Sequence, residues 1–184
     1  MIIIYILIGL VLLSGFFFGS TYNRLVRART MVEEGWSGID VQLKKRYNLI
    51  PNLIETVKGY ASHEQDTLNK VISARKAAQG AQGVPAKQAA EMQLTSALSG
   101  FFAVAEAYPD LKANQNFMQL QNELSQIEGD VEKARRYYNG TVRENNVLVE
   151  SFPSNIVAGM FNFYLSEFFE IGNEEERAVP QVKF

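Results

Sequence analysis

The first 23 residues, MIIIYILIGLVLLSGFFFGSTYN, carry no charged side chain. About 20 such residues at 1.5 Å rise cross the roughly 30 Å hydrocarbon core of a bilayer. The run therefore predicts a transmembrane helix, with residues 1–22 as the anchor. A cleaved signal peptide is the competing reading, but it needs a charged leading segment and small residues at a cleavage site. Here only Met1 precedes the apolar run, and Phe16, Phe17 and Phe18 crowd its end. Arg24, Arg27 and Arg29 follow the span while no lysine or arginine precedes it. The positive-inside rule then puts the C-terminal part in the cytoplasm, and a single-pass cell-membrane protein is expected.

Beyond the anchor, the 184-residue chain, 47% hydrophobic, leaves one domain of about 160 residues, enough for a single core. A formal net charge of -2 and a pI of about 5.6 recommend no nucleic-acid partner, whose binding footprint is a basic surface. The absence of cysteine excludes disulfides, cysteine-ligated metal and thiol catalysis together.

The body of the chain has helical periodicity. From Trp36, apolar or large residues recur at Ile39, Leu43, Tyr47, Ile50, Ile54, Val57, Ala61, Leu68 and Val71, in steps of three and four apart from the polar Glu64 position. A second helix is predicted from Pro85, with Leu94, Leu98, Phe101, Phe102, Ala105 and Tyr108 on one face, stopped by Pro109. A third is predicted from Asn114 as cap. It carries Phe117, Leu120, Leu124, Ile127, Val131, Ala134, Tyr138, Thr141, Asn145, Leu148 and Phe152, a coiled-coil-like seven-residue repeat ended by Pro153. The turns QGAQGV (79–84) and YPDLKAN (108–114) are short, so neighbouring helices should be antiparallel. The fold class expected is all-α: the anchor, then an antiparallel up-and-down bundle of long helices over residues 23–153. Residues 154–184 form an aromatic and then acidic C-terminal segment.

Pro51 interrupts the first pattern without shifting its phase. An interior proline costs about 3 kcal/mol and one backbone bond. The unbroken phase favours a single kinked helix from Tyr22 to Gln79, whereas that helix would extend roughly 87 Å against roughly 36 and 57 Å for the other two, which favours a break. The kinked continuous helix is the expectation.

Three blocks in the same order resemble the LemA family of bacterial membrane proteins: WSGIDVQLKKRYNLIPNLIETVKGYASHEQDTLNKVISARKAA, AEAYPDLKANQNFMQLQNELSQIEGDVEKARRYYNGTV and SFPSNIVAGMFNFYLSEFFE. The resemblance covers nearly all of the chain after the anchor. It implies one N-terminal membrane helix, an antiparallel helical bundle, no established enzymatic activity and no defined ligand or cofactor. Relatives include a protein of magnetosome formation, which implies a part in membrane organisation by analogy. Departures are Glu34 and Gly35 before Trp36, and Asn145 where an aromatic is common. On the heptad seam, a polar Asn145 is expected to set register or partner choice.

No catalytic constellation emerges. His63 beside Glu64 and Asp66 lacks the further histidine or cysteine ligands that a zinc site of about three or four ligands needs. Glu33 with Glu34, and Glu174 to Glu176, read as solvated runs rather than an acid and base pair. Interaction candidates remain. Lys44, Lys45 and Arg46 form a basic cluster read as a solvated helix face, with acidic partners or anionic lipid as alternatives. Trp36 reads as a core anchor and Pro51 as structural. Phe161, Phe163, Tyr164, Phe168 and Phe169 form either a clasp on the bundle or an exposed patch that docks on another subunit or a membrane. The function expected is a non-enzymatic, membrane-anchored scaffold that self-associates as a homo-oligomer. The alternative is an accessory or sensor subunit of a membrane protein partner, such as a protease.

Overall fold

The computed structural model describes residues 1–60 and 64–170, and these are all-α, with no strand among them. The helices are α1 (Ile2–Lys58), α2 (Gln65–Gly80), α3 (Val84–Ala105), α4 (Pro109–Lys112), α5 (Gln115–Glu150) and α6 (Ser154–Met160). His63 and the acidic run at 174–176 lie outside the described residues.

Helix α1 is continuous through Pro51, as the unbroken apolar phase predicted. Proline has no N–H for the carbonyl four residues back, which here belongs to Tyr47. That carbonyl is taken by Arg75 of α2, whose Nε donates to it at 2.6 Å. The expected extension of this helix to Gln79 does not occur: α1 stops at Lys58 and α2 begins at Gln65. Gly59 follows the last helical residue, and glycine is costly inside a helix and favoured just past its end. The apolar phase carries on across this turn, so periodicity alone joined two helices. Pro109, expected to stop α3, instead opens the four-residue α4, and α3 has already ended at Ala105.

The remaining boundaries follow local chemistry. Pro85 stands in the first turn of α3, where its missing N–H costs nothing. Gly83 before it has φ +78, ψ 162, a conformation open to glycine alone. Asn114 Oδ1 accepts the Phe117 N–H at 3.1 Å, the capping bond expected at the start of α5.

The described residues form two compact units, 1–38 with 136–168, and 39–135 with 169 and 170. In the first, α1 and α5 run antiparallel. Trp36 meets Tyr138 with ring centroids 5.5 Å apart, and Leu25 and Val26 share a cluster with Leu148 and Val149. Gly35 allows this approach, since a Cβ there would lie 3.1 Å from the Tyr138 Cα. Helix α6 closes the cluster with Val157 and Ala158. It ends in a Schellman turn: Asn162 takes φ 57, and the Phe163 N–H bonds the Ala158 carbonyl at 3.0 Å, which turns the Phe163 ring back into the same core.

The second unit is an up-down-up-down bundle. Tyr47 of α1 meets Ala78 of α2, Ala78 meets Lys87 of α3, and Arg46 of α1 meets Glu128 of α5. At the other end Tyr60 pairs with Asn114, so α1 and α5 are antiparallel here too. The seam residues Ile39, Leu43, Ile50, Val57, Leu68 and Val71 are buried as their spacing predicted.

Candidate functional site

The centre of the second unit holds an ionic network on four helices. Arg46 is 2% exposed. Its Nη1 donates to Glu91 Oε2 at 2.7 Å, and its Nη2 to Glu128 Oε1 at 2.7 Å and Thr95 Oγ1 at 3.0 Å. Glu91 is wholly buried, and its second oxygen accepts the Tyr47 hydroxyl. Lys87, also buried, donates to the Ala78 carbonyl at 2.8 Å, with its ammonium 5.7 Å from the Tyr47 ring centroid. Ala78 lies in the last turn of α2, where carbonyls have no partner within the helix. Lysine from the next helix supplies one. Burial, then the bond to Glu91, pushes the Tyr47 phenol far above its ordinary range, so it stays a neutral donor.

This placement corrects the reading of the basic cluster as one solvated face. Lys44 and Lys45 are exposed, with Lys44 bonded to Asp40 at 2.7 Å. Arg46 instead faces inward, because it stands three residues after Leu43 and four before Ile50, on the seam itself.

Glu128 is the half-exposed member of the network, at 41%. Burial raises its carboxyl above the ordinary 4.5 and outweighs the opposing pull of Arg46. The folded chain therefore holds this proton more tightly than the unfolded one. Its contribution to stability is complete below 4.5 and is lost as pH rises through the raised folded value. Urea unfolding as a function of pH should show this decline, of modest size for a half-exposed group, and Glu128→Gln should flatten it.

The second constellation, in the first unit, fixes the C-terminal segment against α5. The Asn146 side chain makes a paired contact with the Ser166 backbone, accepting its N–H at 2.8 Å and donating to its carbonyl at 2.9 Å. Asn145, 2% exposed, donates to the Tyr164 carbonyl and the Ser166 Oγ, both at 3.2 Å. The Tyr138 hydroxyl donates to the Glu167 carbonyl at 2.8 Å, and burial raises its phenol, which keeps the donor neutral. The seam asparagine thus satisfies the backbone of a non-helical segment of its own chain.

The aromatic residues divide. Phe163 and Phe169 are buried, Phe169 completely, and each lies within its own unit. Phe161 is 50%, Tyr164 74% and Phe168 40% exposed. Phe161 packs edge-on to Tyr22, at 4.8 Å between centroids, and Arg29 lies 5.2 Å over the Phe163 ring. The clasp and the exposed patch are two faces of one segment.

The model of the LemA family matches residues 35–184 of this sequence. The chain belongs to the LemA family. Among curated proteins this LemA-family chain is similar to Protein LemA of Metamycoplasma hominis, 24% identical over 157 residues, spanning 83% of this chain and 70% of that protein. The matched region contains both constellations, and the N-terminal apolar stretch precedes it. That stretch of α1 is long and apolar enough to cross a membrane, and its most apolar 18-residue window has no residue buried within the protein.

Sequence reasoning passed over Glu91, Glu128, Lys87 and Thr95. The signal was present for three of them. Lys87 and Glu91 lie seven and three residues before Leu94 on the face of α3, and Glu128 lies four after Leu124 and three before Val131 on α5. Charged residues in register with an apolar stripe mark a buried ion network.

Proposed function

We propose that this LemA-family chain is a non-enzymatic, membrane-anchored helical scaffold that self-associates and organises membrane or partner proteins. In this reading α1 crosses the bacterial inner membrane once, and Arg24, Arg27 and Arg29 keep the remainder in the cytoplasm. The observation that carries it is the C-terminal segment, whose backbone is fixed by Asn145 and Asn146 while Tyr164 and Phe168 stand exposed. Aromatic side chains on an already ordered backbone make contacts at low entropic cost. The ionic network favours a structural role as well. Its buried charges are committed to one another across helices, whereas acid and base chemistry needs carboxylates in separate environments beside a substrate.

The test is the mass of the full chain in mild detergent, by light scattering with the detergent contribution subtracted. A defined homo-oligomer is expected, dispersed by Tyr164→Ala with Phe168→Ala. Anchors on one side restrict such an assembly to rings or clusters. A monomer at micromolar concentration overturns self-association and turns the search to a membrane enzyme, such as a protease, that this chain would accompany as an accessory subunit.

A further inference from the structure

Helix α6 lies at one particular height on α1. Its buried residues Val157 and Ala158 pack into the cluster that contains Leu25 and reaches Phe18. Phe161, just past its end, packs edge-on to Tyr22 and closes a shallow apolar hollow lined by Phe18, Gly19, Tyr22 and Asn23. The uncharged run ends at Asn23, where Arg24 follows, and about 20 such residues at 1.5 Å fill the hydrocarbon core. Phe18 to Asn23 is thus the stretch where α1 leaves the bilayer, and whatever packs there sits at the bilayer surface.

The composition of the packed segment matches that position. From Ser151 to Ser166 there is no charged side chain, although Glu150 and Glu167 bound the stretch. Within it Phe152 is 80%, Ile156 48%, Met160 63% and Phe161 50% exposed. Four large apolar side chains open to water at a protein surface are costly. The same four in the boundary between headgroups and acyl chains are not. Arg24 and Arg27, exposed on the next turns of α1, then stand at the height of the phosphates.

We propose that α6 and its following turn form a second membrane contact, an uncharged foot of Phe152, Ile156, Met160 and Phe161 seated in the leaflet from which α1 emerges. The occupant of this apolar surface is the bilayer that holds the anchor. The inference rests on α1 being a bilayer span, and it adds a place where the body of the chain touches lipid directly. The foot limits rotation of the first unit about the anchor axis, which a single helix alone would allow.

The chain has no cysteine, so single probes are simple to place in the full-length protein. Met160→Cys and Phe161→Cys, each carrying an environment-sensitive fluorophore, are reconstituted in neutral phosphatidylcholine vesicles containing brominated lipid. Val11→Cys reports the span, and Ser73→Cys, exposed on α2, reports water. Quenching at 160 and 161 several-fold above that at 73, strongest with bromines placed near the headgroups, is the expected result. Quenching at 11 with none at 160 and 161 overturns the foot and leaves the anchor standing. No quenching at 11 overturns both. Probes at 160 and 161 shielded from lipid bromines and from aqueous iodide alike assign the surface to another protein copy and also overturn the proposal.

Discussion

Arg46→Met is expected to destabilise the fold by about 3–5 kcal/mol, because removing one partner of a buried pair leaves the other uncompensated. Glu91 has no exposed surface, so its carboxylate would retain only the Tyr47 hydroxyl. Arg46→Lys should recover little. A guanidinium reaches Glu91, Glu128 and Thr95 through two nitrogens in a fixed fork, and an ammonium presents a single point. The decisive comparison is the double substitution Arg46→Met with Glu91→Leu, which replaces charge by apolar volume on both sides. It should regain most of the loss, since a well-packed apolar replacement of a buried pair is often neutral or better. Urea titration in mild detergent, followed by far-ultraviolet circular dichroism, measures all three variants. A single substitution with no effect would refute the network as a source of stability.

Gly35→Ala and Gly38→Ala should move stability in opposite directions, although both lie within α1 three residues apart. At Gly38 a new Cβ meets nothing within 4 Å, so the change should stabilise by up to about 1 kcal/mol through helix propensity alone. At Gly35 the Cβ would come to 3.1 Å from the Tyr138 Cα. Backbone cannot swing aside as a side chain does, so α1 and α5 must separate, with an overpacking cost of about 1–3 kcal/mol that exceeds the propensity gain. Trp36, the sole tryptophan, packs on Tyr138 at the contact, so its fluorescence reports the separation directly. A shift in the unfolding midpoint upward for both variants would mean that the approach of the helices is looser than described.

Much of the fold was legible because helices announce themselves through spacing. The seam from Phe117 to Tyr138, the Asn114 cap, the Pro85 start and the short turn between α2 and α3 all follow from local rules that tertiary contacts did not override. The turn after Lys58 was missed for a physical reason. Val57, Leu68 and Val71 keep the same phase on both sides of it, and a hairpin that preserves phase looks like a continuous helix. Arg46 was misplaced because an arginine between two lysines reads as solvent, even when its spacing from Leu43 and Ile50 puts it on the buried face. Burial of a long charged side chain depends on partners, and Glu91 and Glu128 lie 45 and 82 residues away in the sequence. The division of the aromatic segment depends on Asn146 reading a backbone rather than a side chain, so no pattern of residue types marks it.

The bond from Arg75 to the Tyr47 carbonyl gives Pro51 a role in the order of assembly. By itself α1 lacks one rung at that point, and nothing nearby in the sequence fills it. The missing donor arrives only with the helix that folds back 28 residues later. Completion of the first helix and docking of the second are therefore a single event. An isolated peptide spanning residues 39–58 should fray at the position that Arg75 holds in the intact chain, and the proline converts a stretch of local structure into one that reports whether its neighbour has arrived.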